Sequence, residues 1–339
     1  MPKFTLTDDI NIAQVGQSWV NANREKYIFG QLSQTGKVLY RPNGVKDTVY
    51  QLPAFDNSLH AGNGINWEPG DSLPEEQQLD KVSVTVTPQG RSTRLLKREA
   101  LVGGQIYEDL ENNISNILLS QAYQVIDKDI VSFMTTAANY GQITFSGTGA
   151  LDTFANDQTP YWNLLNSAIA PLRLYAQSFD GLEVEMWLGQ NVLDVFMSHW
   201  NFQGAGATVS AIALPKGPMV QSRDQLLAML SANLRVKVRV FESVSNTANF
   251  GATATPAEQA AGLCWIGVVD QLAWDITEGS KGHKPDGAIQ VALAKEPEVD
   301  SFVVDGSQME TFRATYAYQV FNPRGTAWGK LFPVGEIIT

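Results

Sequence analysis

An apolar stripe runs without a Gly or Pro over residues 105–138 of this chain. Ile106, Leu110, Ile114, Ile117, Leu118, Ala122, Val125, Ile126, Ile130, Phe133 and Met134 recur at three- and four-residue steps, the period that lines one face of an α-helix. At 1.5 Å per residue such a helix is roughly 50 Å long, well beyond the three or four turns usual in globular proteins. Glu108, Asp109 and Glu111 fall in its first turns, where the helix dipole favours negative charge. A helix of this length is a backbone along which other parts of the chain lie.

The residues before it hold little core-forming material. Residues 1–40 read as an extended arm: polar and small residues dominate, Gly30 and Gly36 interrupt any long helix, and only 11–24 has room for a short one. Such an arm gains order by lying on its own body or on a neighbour. Residues 41–97 read as a projecting β-hairpin. Turn clusters stand at 41–44 and 67–71, an Asn-, Gly- and Ser-rich stretch at 56–64, and strict apolar–polar alternation at 81–87, a strand signal with one covered face. A lone two-stranded ribbon is marginal in water, so this one calls for a supporting surface. Its charges are sorted along the chain: Asp71, Glu75, Glu76 and Asp80 come first, Arg91, Arg94, Lys97 and Arg98 follow. Two readings stay open, a solvated surface or complementary patches that set the register of one subunit's hairpin on the next. On the second, Asp71, Glu75, Glu76, Arg91, Arg94, Lys97 and Arg98 are the candidate intersubunit contacts.

After the long helix the pattern alternates. Helices are expected at 160–177, 190–200 and 223–234, with strands at 182–188, 236–244 and 263–276, enough for a domain of its own over 150–285. Strand-like sequence returns at 289–294 and 309–321 and is expected to rejoin the long helix. The fold class is α+β.

Charged residues make up 17% of the chain, below the usual quarter. The centres of large interfaces are depleted in charge, so extensive self-association accounts for the deficit. The net charge of −11 argues against general nucleic-acid binding, which needs Lys and Arg against phosphates. It is compatible with a container whose wall does not grip what it encloses. The single cysteine, Cys264, lies in an apolar run and reads as a buried strand thiol. Residues 1–9 show no basic segment followed by an apolar one, so no secretory signal is visible. No stretch approaches the ~20 apolar residues of a membrane span.

Chemistry is hard to find. His60, His199 and His283 have no Cys or carboxylate at ligand spacing. There is no G-x-S-x-G elbow and no Walker-type loop, and the Gly-containing pieces 147–149 and 204–206 read as loops. Glu183 and Glu185 share one face of a strand. Without a third partner they read as a solvated strand face rather than a catalytic pair. Eight Trp are scattered rather than grouped as a stacking platform. No catalytic, cofactor or metal residue is assigned, and the chain is not expected to be an enzyme.

Trp67-Glu68-Pro69-Gly70-Asp71-Ser72-Leu73-Pro74, the strand at 81–87, the basic segment at 91–98 and the helix over Leu110 to Phe133 together resemble the major capsid proteins of tailed phages, the Hong Kong 97-type fold. Glu68 is followed here by Pro69, where that family's W-x-E-G pattern has Gly. The closing Tyr318-Gln319-Val320-Phe321-Asn322-Pro323-Arg324 is also similar, and the order of elements over nearly the whole chain adds to the likeness. The resemblance implies an N-terminal arm at 1–40, an E-loop hairpin at 41–97, a peripheral domain with spine helix from 98–149 and 286–339, and an axial domain at 150–285. It implies self-assembly in hexamers and pentamers into an icosahedral virion capsid, built in the host cytoplasm around double-stranded DNA without sequence-specific binding. Scaffolding, portal and decoration proteins are the partners it suggests. No long helical segment precedes the arm in this sequence, so scaffolding is expected to be a separate protein or already cleaved. Two other readings stay open: an encapsulin-like nanocompartment, which shares that fold, and a globular α/β enzyme, which leaves the first 140 residues without a purpose.

Overall fold

The computed structural model describes residues 18, 20–35, 39–41, 49–55, 79–96, 104–142, 161–177, 182–198, 222–246, 256–270, 274–275, 287–303 and 309–332. Its helices are α1 (Ile28–Thr35), α2 (Gly104–Thr135), α3 (Tyr161–Gln177), α4 (Gln190–Ser198) and α5 (Arg223–Leu234), with 3-10 turns at Arg24–Lys26 and Thr326–Trp328. The strands are β1 (Leu39–Arg41), β2 (Val49–Phe55), β3 (Leu79–Thr85), β4 (Thr87–Leu96), β5 (Gly141–Gln142), β6 (Leu182–Gly189), β7 (Lys237–Phe241), β8 (Val244–Asn246), β9 (Pro256–Glu258), β10 (Cys264–Asp270), β11 (Trp274–Asp275), β12 (Gln290–Val303), β13 (Met309–Phe321) and β14 (Gly329–Leu331).

The long helix is α2, and its 32 residues span about 48 Å at 1.5 Å each. It stops at Thr135 rather than near 138. Side chains there bond back to carbonyls near the helix end: Thr135 Oγ1 donates to Val131 O at 2.9 Å, Thr136 Oγ1 to Ser132 O at 2.7 Å and Asn139 Nδ2 to Phe133 O at 2.9 Å. The buried stripe is Leu118, Leu119, Ala122, Tyr123, Ile126, Ile130, Val131 and Met134. Ile117, expected within it, is 54% exposed. With Leu118 and Leu119 both turned inward, the covered face lies one step round from the expected one.

Two five-stranded sheets share one apolar core with this helix. The first has the order β11-β1-β12-β13-β4, with β1 parallel to both neighbours and the β12–β13 and β13–β4 pairs antiparallel. Helix α2 packs on it over Phe312, Ala314, Tyr316, Tyr318 and Val320. Strand β12 runs well past the expected 289–294. Its extension carries Lys295, Glu298 and Asp300 on the face away from the helix, opposite Ala317, Thr315 and Arg313. These charges hide the strand from hydropathy. Register shifts bracket Lys295, and Pro297, which has no N–H for a ladder, lies in the second.

The second sheet has the order β5-β14-β10-β6-β7. All seven residues of β10 are buried, as expected of the run around Cys264. Helices α3, α4 and α5 pack around β6, β7 and β10. Trp187 and Trp265 lie 5.1 Å apart at this core's centre, with Phe241 and Tyr140 edge-on to them. Leu165, Ala168 and Leu172 of α3 face inward as expected, while Leu174 is 66% exposed. The strand expected over 236–244 breaks between β7 and β8, where Ser243 turns inward and is fully buried. One continuous apolar core runs from Tyr27 through α2 and both sheets to Phe332.

The strands do not respect the expected boundaries. Residues 41–97 divide in two: β2 pairs antiparallel with β3 in a separate two-stranded ribbon, while β4 belongs to the first sheet. Strand β1, from the expected arm, sits inside that same sheet. Strands β5 and β14, expected beside the long helix, extend the second sheet, and β11 extends the first. Alternation marks a strand but not its partner, and the pairings of β1 and β4 reach across more than two hundred residues.

Candidate functional site

Strand β4 stands at the edge of the first sheet, bonded to β13 on one side and to no other described strand on the other. Every residue from Thr87 to Arg94 is exposed. An edge strand of this kind presents a row of open N–H and C=O groups to any strand that approaches. Pro88 and the charges Arg91 and Arg94 are features that hold off indiscriminate pairing at such an edge.

Its register with β13 runs unbroken, Arg91 opposite Ala314 and Arg94 opposite Thr311. Three residues apart on a regular strand, the two arginines project from opposite faces. Arg91 lies on the helix side beside Tyr316: burial raises that phenol's pKa, and the Arg91 charge and hydrogen bond pull the other way. Arg94 lies on the outer side. The sequence groups these cations in one patch, and the pleat separates them. Asp71, Glu75, Glu76, Lys97 and Arg98 lie outside the described residues.

The outer face continues as a polar ladder. Arg313 makes a two-pronged pair with Asp300 (3.2 and 2.6 Å), with its guanidinium 5.3 Å from the Phe302 ring centre. Both partners of that pair are nearly half exposed, so it contributes no more than about 1 kcal/mol. Lys295 donates to Thr315 Oγ1 at 2.7 Å and pairs with Glu298 at 3.4 Å. Where the ladder ends, Val84 and Val86 pack with Ala292, Ala317 and Phe321. This small apolar patch fixes the point at which the β2–β3 ribbon leaves the sheet.

Two buried polar assemblies hold the body behind these surfaces. Asp127 of α2 is fully buried and accepts from the backbone N–H groups of Ile28 (3.0 Å) and Phe29 (2.8 Å) at the start of α1. The Ser243 hydroxyl donates to it at 2.6 Å. Gln259 completes the junction through Ser243 and the Gln124 carbonyl. Burial raises the Asp127 carboxyl to about 6, while the three hydrogen bonds pull the other way. Tyr27, Ile28, Phe29 and Leu32 are buried around it, so this part of the expected arm lies on its own body. Residues 20–23 are helical, as expected for part of 11–24, and 11–17 lie outside the described residues. The sequence offered a signal: the 3.6-residue period puts Asp127 on the buried face, between Tyr123 and Val131.

In the second assembly Glu185 is fully buried. It accepts from Arg239 Nε at 2.7 Å and from Trp187 Nε1 at 2.8 Å. Glu183 is exposed as expected, but the reading of both as a solvated face is wrong for Glu185. Strands β6 and β7 are parallel with Glu185 opposite Lys237, so the E-V-E and K-V-R triplets bring opposite charges together on one face. That complementary spacing was the available signal. Cys264 is fully buried, and burial alone pushes its thiol up. His60, His199, His283 and both Gly-containing pieces lie outside the described residues. Among the described residues no His, Cys, Asp and Glu gather in a group that could hold a metal, and no helix is long and apolar enough to cross a membrane.

No family model matches the sequence, and no curated protein matches it. Solved structures do. A phage-related protein from Bordetella bronchiseptica RB50 is 12% identical, with 97% of each chain covered and a TM-score of 0.54. The chain shares the fold of that phage-related protein. That likeness is one of fold. Two further structures are similar over most of their length: a virus-like particle from Pyrococcus furiosus (8% identity, 96% of this chain and 100% of that one, TM-score 0.47) and the mature capsid of bacteriophage PhiM1 (12%, 87% and 84%, TM-score 0.48).

Proposed function

We propose that this chain is the major capsid protein of a tailed phage, a structural subunit that self-assembles into the icosahedral shell around double-stranded DNA. The observation that carries the reading is the pair of incomplete β surfaces. The β2–β3 ribbon pairs with no third described strand, and the edge strand β4 is exposed on both faces. A two-stranded ribbon is marginal alone and an open edge is a template for pairing, so both are completed by other copies. The fold shared with a phage-related protein and the low charge content support the same reading.

In the terms of that family, the segment ahead of α1 is the N-terminal arm and the β2–β3 ribbon is the E-loop. The first sheet with α2 is the peripheral domain with its spine, and the second sheet with α3, α4 and α5 is the axial domain. Copies gather in hexamers and pentamers, and scaffolding, portal and decoration proteins complete the assembly. The host cytoplasm is where the virion shell is put together. Function here is binding, summed over many weak contacts, and catalysis has no part in it.

Electron microscopy of the purified chain under assembly conditions tests this. Capsomers or closed shells are expected, and a chain that stays monomeric sinks the reading. Charge reversal at the edge refines it: Arg94→Glu is expected to lower particle yield with the unfolding midpoint of the subunit unchanged. Equal loss of yield and of stability refutes an interface role for Arg94. A particle filled with protein cargo instead of DNA points to a nanocompartment.

A further inference from the structure

At the free edge of the second sheet the structure forms a pocket of about 300 Å³, lined by Arg173, Ala176, Gln177, Glu183, Val184, Arg235 and Lys237. Three cations converge there against one acid, in a chain whose net charge is −11. Each cation comes from a different place: α3 one turn before its end, the residue that ends α5, and the first residue of β7. Among the described residues no ion pair engages Arg235, Lys237 or Glu183.

Two details bear on how these cations are placed. Arg173 donates from one terminal nitrogen to the Leu234 carbonyl at the end of α5, which fixes its guanidinium. Its Nε is buried and has no hydrogen-bond partner, so a donor group kept away from water lacks the acceptor it needs. Arg235 stands in the left-handed region (φ 47°, ψ 45°), the only non-Gly residue among those described with positive φ. A helix end of this geometry favours Gly or Asn, and the chain places a long cationic side chain there instead.

The neighbouring backbone adds a third detail. Strand β7 is the last strand of its sheet, bonded to β6 and to no other described strand, and Lys237 begins it. An extended segment paired along that edge, with a carboxylate at its end, would bring the carboxylate to the pocket that Lys237 lines.

We infer that this pocket receives an Asp or Glu side chain on an extended segment of a second copy of this chain. The inference rests on the shell-subunit reading, which supplies many copies, each with an excess of acidic side chains, at high local concentration. Glu183 within the pocket disfavours a continuous polyphosphate and suits a peptide, whose carboxylate meets the three cations while a backbone N–H meets Glu183.

The test is zero-length carbodiimide crosslinking of assembled full chain, made from an equal mixture of isotopically light and heavy protein. This reagent joins an ammonium to a carboxylate in direct contact. Lys237 is expected in mixed light–heavy crosslinks to an Asp or Glu. The Arg235→Gly, Lys237→Gln double variant removes two cations and restores the residue type that the αL position favours. It is expected to unfold at no lower a temperature than the wild type, as Arg235→Gly alone does, and to need at least tenfold more protein to form particles. Particles that form while Lys237 crosslinks only within its own chain, or not at all, overturn the inference and leave the shell reading intact. A wild-type chain that stays monomeric by sedimentation removes the shell reading and the inference with it. Binding of a short DNA duplex that the double variant abolishes overturns the carboxylate assignment in favour of phosphate.

Discussion

The Asp127 junction makes the most exacting demand on the fold. In the folded chain this carboxyl titrates near 6, against an ordinary 3.8, because burial outweighs its three hydrogen bonds. A folded acid with a raised pKa binds its proton more tightly than the unfolded chain does. Its contribution to stability is therefore fully present below pH 3.8 and is lost as the pH rises through 6. Two pKa units correspond to about 3 kcal/mol, of which roughly 2–3 kcal/mol falls between pH 4 and pH 7. Asp127→Asn fills the same space and cannot titrate. It keeps one acceptor oxygen for the three donors that now share two, and so leaves a buried N–H short by about 1–3 kcal/mol.

Urea unfolding of wild type and Asp127→Asn across pH 4–7, followed by tryptophan fluorescence, isolates the group because all other titrations cancel in the difference. The wild-type advantage is expected to shrink by about 2–3 kcal/mol from pH 4 to pH 7. Hydrogen exchange adds a local readout: the Ile28 and Phe29 amides, which Asp127 accepts, are expected to exchange faster in the variant. Parallel curves across the whole range, or an advantage that grows with pH, refute the assignment of a buried carboxyl with a raised pKa at this junction.

Other substitutions test other parts. Glu185→Ala leaves Arg239 and the Trp187 N–H buried without their acceptor and is expected to cost about 3–5 kcal/mol in denaturant unfolding. Joint replacement by Glu185→Leu and Arg239→Met is expected to recover most of that loss, and a double variant as unstable as the single one contradicts the pairing. Gly189→Ala places a Cβ 1.7 Å from the Ala260 carbonyl oxygen, so backbone must move. A loss of about 2–4 kcal/mol is expected, and a midpoint equal to the wild type's shows that the approach is looser than described.

The parts of this fold that were legible in sequence are those with a strong local period. The three-four stripe gave α2 to within a few residues, and 223–234 gave α5 because Ser222 caps it by accepting from the Gln225 N–H at 3.3 Å. Pairing was not legible. Lys81 to Thr87 reads as one strand, yet the chain passes at Val86 from the β2–β3 ribbon to the first sheet, and both pieces alternate in the same way. The candidate contacts suffered from the same ambiguity. Arg91 and Arg94 are near in sequence and alike in charge, and only the pleat shows that they serve different faces. Asp127 and Glu185 were hidden because an acid in an apolar pattern reads as exposed until its donors are known, and the Ile28 N–H and the Arg239 guanidinium come from about 100 and 54 residues away.

The two kinds of polar feature have different consequences for assembly. Asp127 and Glu185 are buried, and their partners come from separate elements, so loss of either loosens the subunit before any neighbour is met. Residues 87–94 spend no side chain on the subunit's core, since all eight are exposed, and surface substitutions away from special features change stability by about 0.5 kcal/mol or less. A free energy that small per copy still matters in a shell, because each subunit repeats the contact and the effects accumulate over the particle. Assembly yield is therefore expected to respond to the β4 edge at substitution levels that unfolding cannot resolve, while the Asp127 junction moves both together. That difference in response, more than the size of either effect, separates a contact surface from a structural one in this chain.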